Sequence, residues 1–187
     1  SLKLRGARVD TIGMQLHFRW EDWYRKTLAG ETMRPLDMLR VLDRYADFRL
    51  PIHITEITIP TLPNTREGEA AQAEMARNLY RLWFSHPSVG AVTWWNLVDD
   101  TATPDEDKLK GGLVRRDFTP KPAYEALRKL IREEWWTRAE KDSGAAAEIR
   151  FRGFYGKYTA TVVHEGQSRT VEFLVAKGAP NVVEVKF

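Results

Sequence analysis

The period of apolar and polar positions changes several times along the chain, and the changes mark its elements. From Val9 to Phe18 the sequence VDTIGMQLHF alternates imperfectly between the two classes, which predicts a strand, and the Trp-rich polar segment Arg19 to Lys26 predicts a loop. Pro35 opens a helix in which Leu36, Leu39, Leu42 and Tyr45 form an apolar stripe, ending near Phe48. Leu50 to Pro60, LPIHITEITIP, is rich in Ile and Thr and reads as a buried strand, and Asn64 to Gly68 reads as a turn. A helix from about Glu69 to Ser85 follows, its stripe made of Ala73, Ala76, Leu79, Tyr80 and Trp83, with Pro87 as the stop. Val89 to Val98 predicts a third strand.

After the polar loop Asp99 to Lys110 come Gly111-Gly112, a short extended piece, and a helix from Pro122 to about Trp136 with Ala123, Leu127, Leu130 and Ile131 inward. The order strand, loop, helix thus occurs three times, which implies parallel strands with helices packed outside them and an α/β fold. Composition changes at Lys141 to Ala147, where KDSGAAA has the small, polar character of a linker. The expected domains are therefore 1–140 and 141–187. The second should be a small all-β module of about four strands, near 147–152, 156–164, 169–176 and 181–187, with a turn at Glu165-Gly166-Gln167. A tail this short is small for an independent sandwich and should lean on other chain.

Composition narrows the function. The 43% hydrophobic content can build a core, and 29 Lys and Arg against 26 Asp and Glu are interleaved without a basic block, so nucleic acid is not an expected partner. No apolar run is long enough to predict a membrane span, and Ser1 to Arg8 shows no apolar signal-peptide core. The chain has no cysteine, which removes disulfides and thiol chemistry, and its four scattered histidines offer no metal-ligand spacing, so no metal or cofactor is expected. Seven Trp residues, with pairs at Trp94-Trp95 and Trp135-Trp136, serve either as sugar-stacking platforms or as large core fillers.

Three strand ends carry recognisable features: Gly13-Met14-Gln15-Leu16-His17, then Ile54-Thr55-Glu56-Ile57, then Val92-Thr93-Trp94-Trp95 with Asp99. Together with Gly112-Leu113 and Lys121-Pro122-Ala123-Tyr124, their order resembles strands six, seven and eight and the closing segment of the family 10 glycoside hydrolases, over roughly residues 4–137. The resemblance implies the C-terminal three βα units of a TIM (β/α)8 barrel, a fold whose eight units usually take about 250 residues. It implies retaining endo-β-1,4-xylanase chemistry on xylan or a related β-glycan, with Glu56 as nucleophile. Gln15, His17 and Trp95 become the substrate-binding residues, His17 approaching the nucleophile and Trp95 walling the sugar pocket. The family's acid/base is a Glu at the end of strand four, after a Trp-Asp-Val-Val-Asn-like stretch, and no such stretch occurs here.

An isolated chain of this kind is expected to be inactive, and to need a companion carrying the missing barrel half or to self-associate, since open sheet edges invite pairing. A polysaccharide substrate implies a secreted or periplasmic bacterial enzyme. The alternative is a noncatalytic glycan-binding or scaffold module derived from such a barrel. Three departures stand out: Asn96 replaces a glycine common in the family, a second tryptophan is absent from Asp99 to Asp107, and Thr58 stands where the family places an Asp two residues after the nucleophile. Trp20 and Trp23 either stack on further sugar units or pack in the loop, while His53 and Trp135-Trp136 read as structural. The acidic run Asp99, Asp100, Asp105, Glu106 and Asp107 lacks calcium-loop spacing and reads as a solvated face.

Overall fold

The computed structural model describes residues 5–187, and the chain divides into two compact units, the first reaching Leu130 and the second spanning Ile131–Phe187. In the first, strands β1 (Ile12–His17), β2 (Ile52–Thr58) and β3 (Val89–Val92) form a parallel sheet in the order β1-β2-β3. Helices α2 (Pro35–Ala46) and α3 (Arg66–Ser85) contact β2 and β3 respectively, and α5 (Pro122–Lys129) packs along α3. β2 is the central strand. Ile52, Ile54, Ile57 and Ile59 are at most 3% exposed and fill the core with Leu42, Ala76, Trp83, Leu127 and Leu130.

A register shift between Met14 and Gln15 decides which side chains meet. Met14 pairs with Ile54, but Gln15 pairs with Glu56 and His17 with Thr58, so Thr55 is the extra residue on β2. Its hydroxyl donates to the Met14 carbonyl at 3.2 Å. The shift moves the buried alternation by one, from Ile52 and Ile54 to Ile57 and Ile59, and sets Glu56 level with Gln15.

Helix α3 begins at Thr65, whose side chain accepts from the Gly68 amide at 3.4 Å. Only glycine fits at position 68, because a Cβ there would sit 1.8 Å from the Pro63 carbonyl oxygen. The buried face of α3 is Gln72, Met75, Ala76, Leu79, Tyr80 and Trp83, and the chain leaves helical geometry at His86 before Pro87.

Several sequence expectations change. The segment expected as a loop after β1 holds helix α1 (Glu21–Leu28), pinned by fully buried Tyr24 and braced by Glu21–Arg25 and Asp22–Lys26 ion pairs one turn apart. In α2 the buried residues are Met38 and Leu42, while Leu36 and Tyr45 are exposed. A three-residue repeat falls about 60° short of a full turn at each step, so its ends wrap to opposite flanks. The third strand ends at Val92, and beyond it only single bonds continue, from Thr93 N to Ile54 O and from Trp95 N to Ile57 O. Past Lys129 the last helix widens into a π turn, Leu130–Glu134, which leaves Leu130 buried and carries Ile131 out to 43% exposure.

In the second unit, β4 (Gly156–His164) and β5 (Gln167–Val175) form an antiparallel hairpin. Its two-residue turn puts Glu165 at φ 46° and Gly166 at φ 79°, the left-handed pair that matches strand twist. The strands expected near 147–152 and 181–187 are not strands. Those segments meet the hairpin through side chains instead: Phe151 packs against Tyr158 and Phe173, and Phe187 lies against His164 with the Arg169 guanidinium over its ring. The small, polar segment at 141–147 lies within this unit and forms a 3₁₀ turn, Gly144–Ala146.

Candidate active site

Glu56 stands in the C-terminal half of the central strand, where a β-strand of Ile and Thr would leave a carboxylate without partners. The neighbouring strand supplies them. Gln15 Nε2 donates to one oxygen at 2.7 Å, and His17 Nε2 lies 3.1 Å from the other. His17 is 11% exposed and Glu56 21% exposed, so the pair is largely sheltered from water. The other ring nitrogen of His17, Nδ1, is 2.8 Å from Thr58 Oγ1. A hydroxyl can donate, so Thr58 can satisfy an unprotonated Nδ1, and in that tautomer Nε2–H donates to Glu56. The carboxylate is thereby held at both oxygens, with its orientation set by β1.

Trp95 arrives from the chain after β3. Its ring meets the His17 ring edge-on, with centroids 6.3 Å apart and planes at 84°, and the residue is 46% exposed. Trp94 is half buried and donates its indole N–H to the Gly111 carbonyl at 3.0 Å. Trp20 is exposed beside Trp23, whose ring lies tilted by 30° against buried Phe18 with centroids 4.7 Å apart. His53 is half buried beside Gly90, and Trp136 lies under the Arg132 guanidinium in the second unit. The structure thus gathers Gln15, His17, Glu56 and Trp95 in one place. The arrangement offers a fixed, sheltered carboxylate beside an aromatic wall, which suits attack on or electrostatic stabilisation of a bound sugar.

The acidic run does not behave as one solvated face. Asp105 is 91% exposed, but the Asp99 side chain is 9% exposed, paired with Lys121 at 3.2 Å and accepting from the Gly112 amide at 2.8 Å. Lys121 itself is 1% exposed and also donates to Thr61 Oγ1 and the Lys110 carbonyl. Burial pulls the Lys121 pKa below its usual value, against the raising effect of Asp99. Glu106, on the short helix α4 (Pro104–Asp107), is 16% exposed and accepts from Trp95, Asn96 and Arg19. The hydrogen bond from Asn96 leads in holding its carboxyl below the usual range, against desolvation, with Trp95 and the Arg19 and His17 charges adding. No local signal marks Glu106 in the sequence, since Arg19 lies 87 positions away. Among the described residues no group of three or more acidic, His or Cys side chains is placed to hold a metal ion, and no helix is long and apolar enough to cross a membrane.

The model of glycosyl hydrolase family 10 matches residues 1–130. The anti-sigma-I factor RsgI6 of Acetivibrio thermocellus is 32% identical over 168 residues, covering 90% of this chain but 20% of its own length, so that match runs into the second unit. Endo-1,4-beta-xylanase B of Thermotoga neapolitana is 27% identical over 139 residues, covering 72% of this chain and 37% of the relative. The chain therefore spans well under half the length of these curated relatives. Among solved structures, xylanase 10B of Thermotoga petrophila RKU-1 in complex with xylobiose matches 71% of this chain and 39% of its own at 27% identity and TM-score 0.51. The Penicillium canescens xylanase XylE shares the fold at 24% identity and TM-score 0.54, over 68% of this chain and 38% of its own. On the family match over residues 1–130, the chain belongs to glycosyl hydrolase family 10.

Proposed function

We propose that this chain is the part of a retaining endo-β-1,4-xylanase-type barrel that carries strands six to eight, with Glu56 as its nucleophile. The observation that carries the reading is the Glu56 carboxylate, held at one oxygen by Gln15 and at the other by His17 beside the open Trp95 ring. Retaining hydrolysis needs such a carboxylate aimed at the anomeric carbon, and a second carboxyl group about 5–5.5 Å away to protonate the leaving oxygen. In this reading the acid/base comes from the missing strands of the barrel, because the chain holds no strand-four segment of the family's kind. Gln15 and His17 orient the nucleophile, Trp95 walls the pocket, and xylan or a related β-glycan is the substrate. The open edges of β1 and β3 pair with the missing barrel half or with a second copy. The segment 141–187 acts as a small accessory β module, and the polymeric substrate puts the working enzyme outside the cytoplasm.

A second reading, a noncatalytic glycan-binding module, is favoured by the 32% identity to a protein named as an anti-sigma-I factor. One experiment separates the two. Xylan hydrolysis is measured for this chain alone and after co-expression with strands one to five of a family 10 barrel, each with Glu56 and with Glu56→Gln. The enzyme reading expects turnover of the chain alone to be lower by about 10²–10⁴, the usual worth of general acid catalysis, and restored turnover in the complemented barrel that Glu56→Gln abolishes. Restored barrels that bind xylohexaose but do not hydrolyse xylan would establish the binding module instead.

A further inference from the structure

The loop after β3 carries a carboxylate that the chemistry above does not use. Glu106 is mostly buried on a four-residue helical turn that is itself fastened, by Asp107 N to Thr103 O and by Ala102 N to Asp107 Oδ1. One of its oxygens takes both the Trp95 indole N–H at 3.3 Å and the Asn96 amide at 3.1 Å, and the other takes Arg19 Nη2 at 3.1 Å. Arg19 follows β1 and Asn96 follows β3, so one side chain ties together the two strand ends that flank Glu56. The tie also explains why Asn96 stands at this position: its amide reaches the same oxygen as Trp95 does, and a residue without a side chain could not.

We propose that Glu106 is a positioning residue for glycan recognition: it clamps the Trp95 ring against His17 and joins the rims after β1 and β3 into a single wall beside Glu56. The inference rests on the glycan-binding reading of that site. An indole with two side-chain torsions loses its orientation easily, and a charge-assisted hydrogen bond to N–H is what fixes it edge-on to His17 while the residue remains 46% exposed. The charges facing Glu106 are Arg19 and His17 on the β1 side, and Asp99, Asp100, Asp107 and Lys110 around the small cavity beneath it. The donors hold its carboxyl below the usual glutamate range, so the clamp is closed at neutral pH and opens only in acid.

The test uses the whole chain with two readouts. In 1H–15N spectra the Trp95 indole N–H, assigned with Trp95→Phe, should shift in acid with a midpoint below the ordinary glutamate range, and this titration should vanish in Glu106→Gln. Xylohexaose affinity should fall about tenfold in Glu106→Ala, less in Glu106→Gln, which keeps one acceptor, and should decline in wild type over the same acidic range. An indole signal indifferent to both pH and Glu106→Gln, in variants whose other amide signals are unmoved, overturns the clamp. The indole readout needs no sugar. A wild type that shows the titration but binds no xylohexaose keeps the clamp and refutes the glycan reading, whereas full affinity in Glu106→Ala refutes the positioning role itself.

Discussion

Replacing Lys121 by Met should destabilise the first unit by about 3–5 kcal/mol, the usual consequence of removing one partner of a buried pair. The magnitude follows from what each acceptor has left. Lys121 Nζ serves Asp99 Oδ2, Thr61 Oγ1 and the Lys110 carbonyl. The Lys110 carbonyl keeps the Thr61 hydroxyl at 2.8 Å, and Thr61 keeps its place against Gln72, so neither is orphaned. Asp99 is the exception: a carboxylate 9% exposed loses the cation it pairs with among the described residues, and retains the Gly112 amide. The cost is therefore mainly an uncompensated charge. Asp99→Asn keeps an oxygen for Gly112 while removing that charge, so Lys121→Met/Asp99→Asn should recover about 2 kcal/mol relative to Lys121→Met. Urea unfolding followed by hydrogen exchange in α3 and α5 reports on this unit separately, and the Lys121→Met midpoint should fall by about 2 M. Strictly additive single and double variants would refute the reasoning. The pH dependence gives a further check. Because burial lowers the folded pKa of Lys121, the folded chain releases this proton before the unfolded chain does. Its contribution to stability therefore rises with pH between the lowered value and the ordinary lysine pKa, and Lys121→Met should lack that rise.

Two other expectations follow from single atoms. Gly68→Ala would drive a Cβ to 1.8 Å from the Pro63 carbonyl oxygen at the start of α3, so urea unfolding should show a loss of at least about 3 kcal/mol, the upper end of overpacking effects. Tyr24 has a buried hydroxyl with no hydrogen-bond partner, and burial pushes its pKa up to about 12. Tyr24→Phe should consequently leave the chain as stable or up to about 2 kcal/mol more stable at neutral pH. Spectrophotometric titration should show one late-ionising tyrosine fewer in Tyr24→Phe than in wild type, and the wild type should lose more stability than the variant as pH rises from the ordinary tyrosine value toward 12, because only Tyr80, also pushed up to about 12, still contributes that loss in the variant.

The central strand and the long helix after it were legible in the chain, because β-branched runs and helical stripes are local patterns, whereas the approach of His17 to Glu56 was implied only by the resemblance to the family 10 glycoside hydrolases. The two-residue spacing of Gln15 and His17 already put them on one side of β1. What it could not convey was the register shift at Thr55, which sets both beside Glu56; a slip of one residue exchanges the faces of a strand, and packing against α2 and pairing with β1 select it. The same holds for the acidic run after β3. Asp99 and Glu106 look like their neighbours in sequence, and they leave the solvent only because Lys121 and Arg19, distant along the chain, are carried to them by the fold. In the second unit the alternating segments around β4 and β5 carry strand patterns, yet those near 147–152 and 181–187 pack by side chains instead, as ladder pairing requires an edge at the right distance and angle, and alternation alone supplies neither.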